Sequence, residues 1–160
     1  MPDDSSLRNQ LLELLHGGHA HATFEDAVKD MPLELAGVRP PGAPYSAWEL
    51  LEHIRIAQND ILEFSRSAQY TSPKWPAGYW PKSPAPSGPH LWKGSVDAVL
   101  RDRAAFEALV SNPANDLYRK FPWGDGQTLL REALLIADHN AYHVGELVLV
   151  RRLLGAWPGA

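Results

Sequence analysis

The sequence predicts an all-α fold, a bundle of four helices. Three observations lead to this prediction: apolar residues recur at helical spacing in four blocks, no segment alternates strongly with a period of two, and turn-forming residues separate the blocks. A chain of 160 residues has the length of one domain. We therefore expect residues 1–160 to form a single domain.

The first predicted helix begins near Leu7 and ends near Met31 and Pro32. The pair Gly17–Gly18 lies inside it, where glycine lowers helix propensity. This pair either loosens the helix or lets a neighbouring element approach closely. The apolar stripe of this helix consists of Leu7, Leu11, Leu14, Leu15, Gly18 and Ala22.

The second predicted helix begins after Ser46, because Ser46 and Glu49 have the spacing of a capping box. His53 falls on the apolar stripe of this helix. An unpaired imidazole on a core stripe costs desolvation free energy, so we expect His53 to have either a structural partner or a ligand role. The stripe consists of Leu50, Ile54, Ala57, Ile61 and Phe64.

Residues 71–92 predict a long, ordered crossover between the second and third helices. The segment carries six prolines and four large aromatic residues, and proline is excluded from helix interiors. Its aromatic content is too high for a disordered linker. The aromatic residues either seal the end of the bundle or form a lid over a site; they are Trp75, Tyr79, Trp80 and Trp92.

The third predicted helix runs from Ser95 to Val110, and the loop "FPWGDGQ" follows it. Thr128 is the predicted N-cap of the last helix, which ends at Gly155 with basic residues in its final turns.

The composition excludes several classes of protein. Cysteine is absent, which removes thiolate nucleophiles, cysteine-bound zinc and disulfides. The net charge of −4 disfavours nucleic-acid binding. We find neither a basic-then-apolar signal pattern nor a run of about 20 apolar residues. We therefore expect a cytoplasmic protein without nucleic-acid or membrane partners.

The last predicted helix carries two histidines on the face roughly opposite its apolar stripe. His139 and His143 are four residues apart, so their side chains point the same way and can converge on one ion. Position 140 is Asn, so this is not the HExxH motif of zinc proteases. Alternatively, neighbouring carbonyls or carboxylates such as Glu132 and Glu146 satisfy both rings within the fold.

His53 offers a third imidazole from a neighbouring helix. Three histidines with open positions for water are typical of a reactive metal rather than a closed structural site. Imidazoles without thiolates suit Zn²⁺, Ni²⁺, Cu²⁺ or Fe²⁺. We expect Zn²⁺ or Ni²⁺ first, with Fe, Mn and Cu as further options.

Four segments resemble the DinB-like superfamily of four-helix-bundle proteins. They are "SAWELLEHI", "TLLREALLIADHNAYHVGELVLVRRLLG", "GGHAHATFEDAV" and "WGDGQT", and the likeness extends from about residue 7 to residue 157. The resemblance implies an up-down-down-up bundle, a divalent metal held by His53, His139 and His143, and a homodimer. Many relatives have Gln where this chain has Glu146, so Glu146 is a candidate fourth ligand, ring partner or proton acceptor.

The resemblance also implies a metal-dependent enzyme that acts on a low-molecular-weight thiol, as an S-transferase or an isomerase, or a hydrolase with metal-activated water. A non-catalytic dimer that binds a metal or ligand in a stress response is the alternative from another class, and histidines that bind nothing are a third. Glu146 is the candidate catalytic residue. Glu132, Asp60, His19 and His21 are further candidates for a base or an orienting group.

Overall fold

The computed structural model describes residues 4–158. Its regular structure is helical, apart from one isolated β-bridge between Lys120 and Thr128. The all-α prediction is therefore confirmed. The elements are α1 (Ser5–His16), α2 (Phe24–Val28), α3 (Ala47–Arg66), a 3₁₀ turn (Ala77–Tyr79), α4 (Pro89–Ser111) and α5 (Leu129–Leu153).

The four long helices form an up-down-down-up bundle. Helices α3 and α4 run in the same direction, because Ser95 bonds to Glu52 and Asn59 bonds to Asp102. Helix α5 runs antiparallel to α3: Asn140 contacts Gln58, while His143 packs near His53, closer to the start of α3.

Helix α1 packs along α4 and α5. The Arg8 guanidinium, near the start of α1, donates to the Val110 carbonyl near the end of α4. Helices α1 and α4 are therefore antiparallel, which completes the predicted topology.

The prediction of one continuous first helix is wrong. Helix α1 ends at His16, and Gly17 and Gly18 have φ angles of 78° and 93°, which favour glycine and stop a right-handed helix. A second helix, α2, then begins after Thr23, whose side chain forms a capping box with Asp26. The glycine pair is thus a helix end.

The predicted starts of α3 and α5 are confirmed by their caps. The Ser46 hydroxyl accepts from the Glu49 amide and the Glu49 carboxylate accepts from the Ser46 amide. The Thr128 hydroxyl accepts from the Arg131 amide. Helix α4 instead begins six residues before the predicted Ser95, since Pro89 occupies its first turn, where a proline needs no N–H partner.

Residues 67–88 form the crossover between α3 and α4, which begins and ends four residues before the predicted range 71–92. Trp92 lies in α4 and is buried in the core, so it is neither a lid nor part of the crossover. Among residues 4–158, no helix combines the length and apolar character that crossing a membrane would need.

Candidate metal centre

Three histidines meet where α3 packs against α5. His53 comes from the first half of α3 and is buried, and His139 and His143 come from successive turns of α5. Their ring centroids lie 4.5–4.9 Å apart. One nitrogen from each ring lies within 4.8 Å of the others. The structure therefore brings together the three residues that the sequence grouped, in a cluster that could bind a metal ion.

Each of these rings has an oxygen atom beside its Nδ1. The Tyr79 carbonyl lies 2.8 Å from Nδ1 of His53, and the Glu146 carboxylate lies 2.7 Å from Nδ1 of His143. The Asn140 side-chain oxygen lies 3.4 Å from Nδ1 of His139, a longer contact. A carbonyl or carboxylate oxygen accepts, so these contacts favour the tautomer in which Nδ1 carries the proton and Nε2 keeps a lone pair.

A relay of two amides fixes the orientation of Asn140. Its amide nitrogen donates to the Gln58 side-chain oxygen at 2.8 Å, and the Gln58 amide nitrogen donates to the Val99 carbonyl at 2.7 Å. The Asn140 oxygen is thereby left facing His139. Gln58 is almost completely buried, so the relay links the site to α4 through the bundle interior.

The free Nε2 atoms converge. His53 Nε2 lies 3.1 Å from His139 Nε2. A metal with bonds of about 2.1 Å to imidazole nitrogen separates two such ligands by roughly 3.3 Å in tetrahedral geometry. This pair is therefore already at a ligand-to-ligand distance.

Aromatic stacking holds the His53 ring in place. Trp80 lies parallel to His53, with centroids 4.0 Å apart and an interplanar angle of 1°. Tyr45 stacks on the other face of Trp80 at 4.0 Å and 16°. The crossover and the loop before α3 therefore both position a ring of the site, as aromatic stacks commonly do.

Burial keeps the three imidazoles neutral near pH 7. It lowers the pKa of His139 to about 4, with smaller contributions from the other two rings, and it lowers the pKa of His143 to about 4, with a contribution from His53. Burial also lowers the pKa of His53. Neutral imidazoles are the form that binds metal ions.

A cavity of about 560 Å³ opens beside the three rings. Its walls include the crossover residues Trp75, Tyr79 and Trp80, and Asp60 lies further along α3. The volume is in the range of small-molecule sites. The predicted aromatic residues, apart from Trp92, thus line this space.

The remaining candidate residues lie at different places. Burial raises the pKa of Glu146 and of Glu132, and Glu132 pairs with Arg131 on α5. His19 and His21 follow α1 and line a second, smaller cavity of about 120 Å³. The structure therefore does not bring His19 and His21 to the three-histidine cluster, whereas Glu146 contacts His143.

Sequence reasoning missed four contributors: Tyr45, Gln58, Asn140 and the Tyr79 carbonyl. Gln58 and Asn140 are hydrogen-bonded although they are 82 positions apart in the sequence, and local residue spacing does not predict a contact over such a distance. The one available signal was a buried glutamine on the apolar side of α3, because a buried amide needs partners.

Comparison with known proteins identifies one family. The family model described as the DinB superfamily matches residues 8–147. No curated protein and no solved structure matches the chain.

Proposed function

The chain belongs to the DinB superfamily, and from this premise and the three converging imidazoles we propose that it binds a divalent metal ion through His53, His139 and His143. The observation that carries the proposal is the arrangement of nitrogens: an oxygen faces each Nδ1, and the Nε2 atoms of His53 and His139 face each other at 3.1 Å. Ligand histidines in metal sites are usually held in this way through their second nitrogen.

The donor set fits a catalytic metal better than a structural one. Three neutral imidazoles without a thiolate suit Zn²⁺ or Ni²⁺ first, with Fe, Mn and Cu as further options. Beside these residues lies a cavity with room for a small molecule rather than a fourth protein ligand. A metal bound here would lower the pKa of a thiol or a water molecule. We therefore propose a metal-dependent enzyme of the small-thiol S-transferase or hydrolase type.

Within this proposal Glu146 orients His143. Its carboxylate is the Nδ1 partner of that ring, and about a third of the side chain is exposed. A partly exposed carboxylate with a pKa raised by burial can also exchange protons with solvent. The sequence-based assignment of Glu146 as a catalytic residue stays a prediction.

We also propose a homodimer formed through α5. An exposed stripe follows this helix, with Leu134, Tyr142, Leu149 and Leu153 between 47% and 65% exposed. Gly145 lies in the same stripe with open space where a side chain would be. In an antiparallel pair of α5 helices, Tyr142 of one copy would face Gly145 of the other, so the stripe is self-complementary.

Elemental analysis of protein produced without a histidine tag tests the metal site. We expect about one divalent metal ion per chain, lost in His139→Ala with the helical circular-dichroism spectrum retained. His90→Ala, at an exposed position on α4, is the matched control and should keep its metal. Stoichiometric metal in His139→Ala would overturn the ligand assignment.

Activity assays distinguish the proposed enzyme from a non-catalytic metal-binding protein. Thiol-dependent consumption of a model electrophile, lost in His53→Ala and kept in His90→Ala, would support the transferase. Metal-dependent ester hydrolysis without a thiol would support the hydrolase. A metal-loaded protein inactive in both assays would favour the non-catalytic binder.

A further inference from the structure

Most of the side chains that line the cavity beside the three histidines are apolar or aromatic. These include Ala57, Ile61, Leu135, Trp75, Tyr79 and Trp80. The cavity volume of about 560 Å³ is far larger than the roughly 30 Å³ that one water molecule occupies in the liquid. A metal ion at the histidines with its water would therefore leave most of the cavity to the body of a ligand.

Asp60 contributes the one carboxylate among the described residues of this wall, and two tyrosines of the crossover bind it. The Tyr79 hydroxyl donates to Oδ2 at 2.7 Å, and the Tyr70 side chain also hydrogen-bonds to Asp60. Burial and then the charge of Asp60 raise the pKa of Tyr70 to about 12, so this hydroxyl stays protonated near pH 7. Asp60 therefore anchors the aromatic wall of the cavity and is not available to a ligand.

The cavity wall offers no cationic partner for an anionic ligand. Of the described residues that line it, none is Lys or Arg. The crossover carries two lysines, Lys74 and Lys82, and both are exposed and lie outside the lining of the cavity. A carboxylate or phosphate group that entered the cavity away from the histidines would lose its hydration without gaining an ion pair, which is costly.

The aromatic rings of the wall differ in how much of their surface is covered. Trp80 lies between His53 and Tyr45, with both centroid distances at 4.0 Å, so its two faces are occupied. Trp75 instead meets the Tyr79 ring at 5.5 Å and a tilt of 61°, and it is 76% exposed. An exposed indole beside a cavity offers a contact surface that the fold itself does not use. An aromatic ring of a ligand can cover that surface in an offset-stacked or edge-to-face arrangement.

We infer that the cavity selects an uncharged ligand with an aromatic group, which packs against Trp75 and Tyr79 while the reactive atom of the ligand lies at the three histidines. The wall stabilises the aromatic group by apolar contact and rejects an anionic substituent in the same place. The inference rests on the proposed function for the reactive end of the ligand. Binding of the aromatic group depends on the cavity wall and can be measured without metal.

Three probes of one carbon skeleton test the ligand class on the metal-free protein. Naphthalene-2-methanol is aromatic and neutral, naphthalene-2-carboxylate adds a negative charge, and decahydronaphthalene-2-methanol is saturated. By isothermal titration we expect the aromatic alcohol to bind at least about tenfold more tightly than the carboxylate, whose charge finds no partner. It should also bind about threefold or more tightly than the saturated alcohol, since aromatic pairs add to area burial. Equal or tighter binding of either comparison probe, or no binding of the aromatic alcohol, would overturn the inference.

Variants locate the effect at Trp75, whose exposure makes substitution compatible with the fold. Trp75→Ala should weaken binding of naphthalene-2-methanol about fivefold or more. Trp75→Arg adds a cation to the wall and should reverse the preference, so that the carboxylate binds more tightly than the alcohol. Tyr118→Ala removes an aromatic side chain that is 60% exposed and does not line the cavity, and it should change neither affinity. Unchanged affinities in both Trp75 variants would contradict the inference, and the wild-type series decides the matter even if a variant does not fold.

Titration of the zinc-loaded protein joins the two ends of the ligand. Phenylmethanethiol and 4-(mercaptomethyl)benzoate carry the same thiol and ring, and a thiolate at the metal directs the carboxylate of the second compound into the cavity. The neutral thiol should bind about tenfold more tightly, and Trp75→Arg should remove the difference. Equal binding of the two thiols by a metal-loaded protein would contradict the inference alone. A protein that takes up no metal but keeps the Trp75-dependent preference for naphthalene-2-methanol would overturn the proposed metal site and leave the ligand class standing.

Discussion

The Nε2 atoms of His53 and His139 lie 3.1 Å apart, although the two residues are 86 positions apart in the chain. Both rings have an oxygen at Nδ1, so a lone pair on each Nε2 would face the other. Two facing lone pairs repel unless a proton or a cation lies between them. The pair is therefore stable at neutral pH either with a shared proton, at the cost of one Nδ1 hydrogen bond, or with a metal ion.

Acid should destabilise the metal-free protein. Folding lowers the pKa of His139 and of His143 from 6.5 to about 4, so between these values the unfolded chain binds more protons than the folded one. The contribution of these two histidines to the free energy of unfolding is therefore complete above pH 6.5, and it is lost as the pH falls toward 4. We expect a loss of up to about 3 kcal/mol from each of the two histidines over this window, measured by urea unfolding in the presence of a chelator.

The comparison with His139→Gln isolates this contribution. Glu132 and Glu146 act in the opposite sense, because their pKa values are raised and protonation favours the folded state. Both acids are present in the variant and in the wild type, so the difference between the two pH profiles belongs to the histidine. A variant whose unfolding free energy falls as steeply as the wild type between pH 6.5 and 4 would contradict the assignment.

Removing the Glu146 carboxylate should weaken metal binding without removing it. Glu146→Ala leaves Nδ1 of His143 without its partner at 2.7 Å, and loss of such a partner typically costs 10- to 100-fold in metal affinity. Competition with a chromogenic chelator measures the change. Glu63→Ala, which breaks an exposed pair with Arg66 on α3, is the control and should bind metal like the wild type.

The sequence predicted the parts of this site that obey a local rule. His139 and His143 are neighbours because residues four apart share a helix face, and His53 stood out on an apolar stripe. The partners of the rings follow from no such rule. Gln58 meets Asn140 and Val99 through contacts that span 82 and 41 positions, and Tyr45 meets Trp80 only because two loops converge.

The errors in the fold have physical causes of the same kind. The apolar stripe of the first predicted helix continues through Gly17–Gly18, whereas the glycines end the helix and the capping box of Thr23 and Asp26 begins a new one. Pro89 falls within the predicted crossover, whereas proline is compatible with the first turn of a helix and lies there in α4. In both cases the sequence contains the residues that mark a helix end or start, but the longer pattern around them, an apolar stripe or a proline-rich segment, predicts a different boundary.

The amide relay should contribute to both stability and metal affinity. Gln58→Leu keeps the side-chain size but leaves the Asn140 amide nitrogen without its acceptor at 2.8 Å. A buried polar group left unpaired costs about 1–3 kcal/mol, so the midpoint of urea unfolding should fall accordingly. Gln69→Leu, at an exposed position after α3, should have little effect. Unchanged stability and metal affinity in Gln58→Leu would show that the relay does not support His139.

A charge on the exposed α5 stripe should separate the proposed dimer. Leu149 is 56% exposed and lies one turn beyond Gly145, where a second copy of the helix would cover it. Leu149→Asp would place a buried carboxylate in that interface, where the proposed register puts it opposite the exposed Asp138 of the second copy, and two like charges without a partner are costly there. We expect a dimer for the wild type and a monomer for the variant in analytical ultracentrifugation. Leu14→Asp, with Leu14 53% exposed on α1, is the matched control and should remain dimeric, whereas a Leu149→Asp dimer of unchanged strength would place the interface elsewhere.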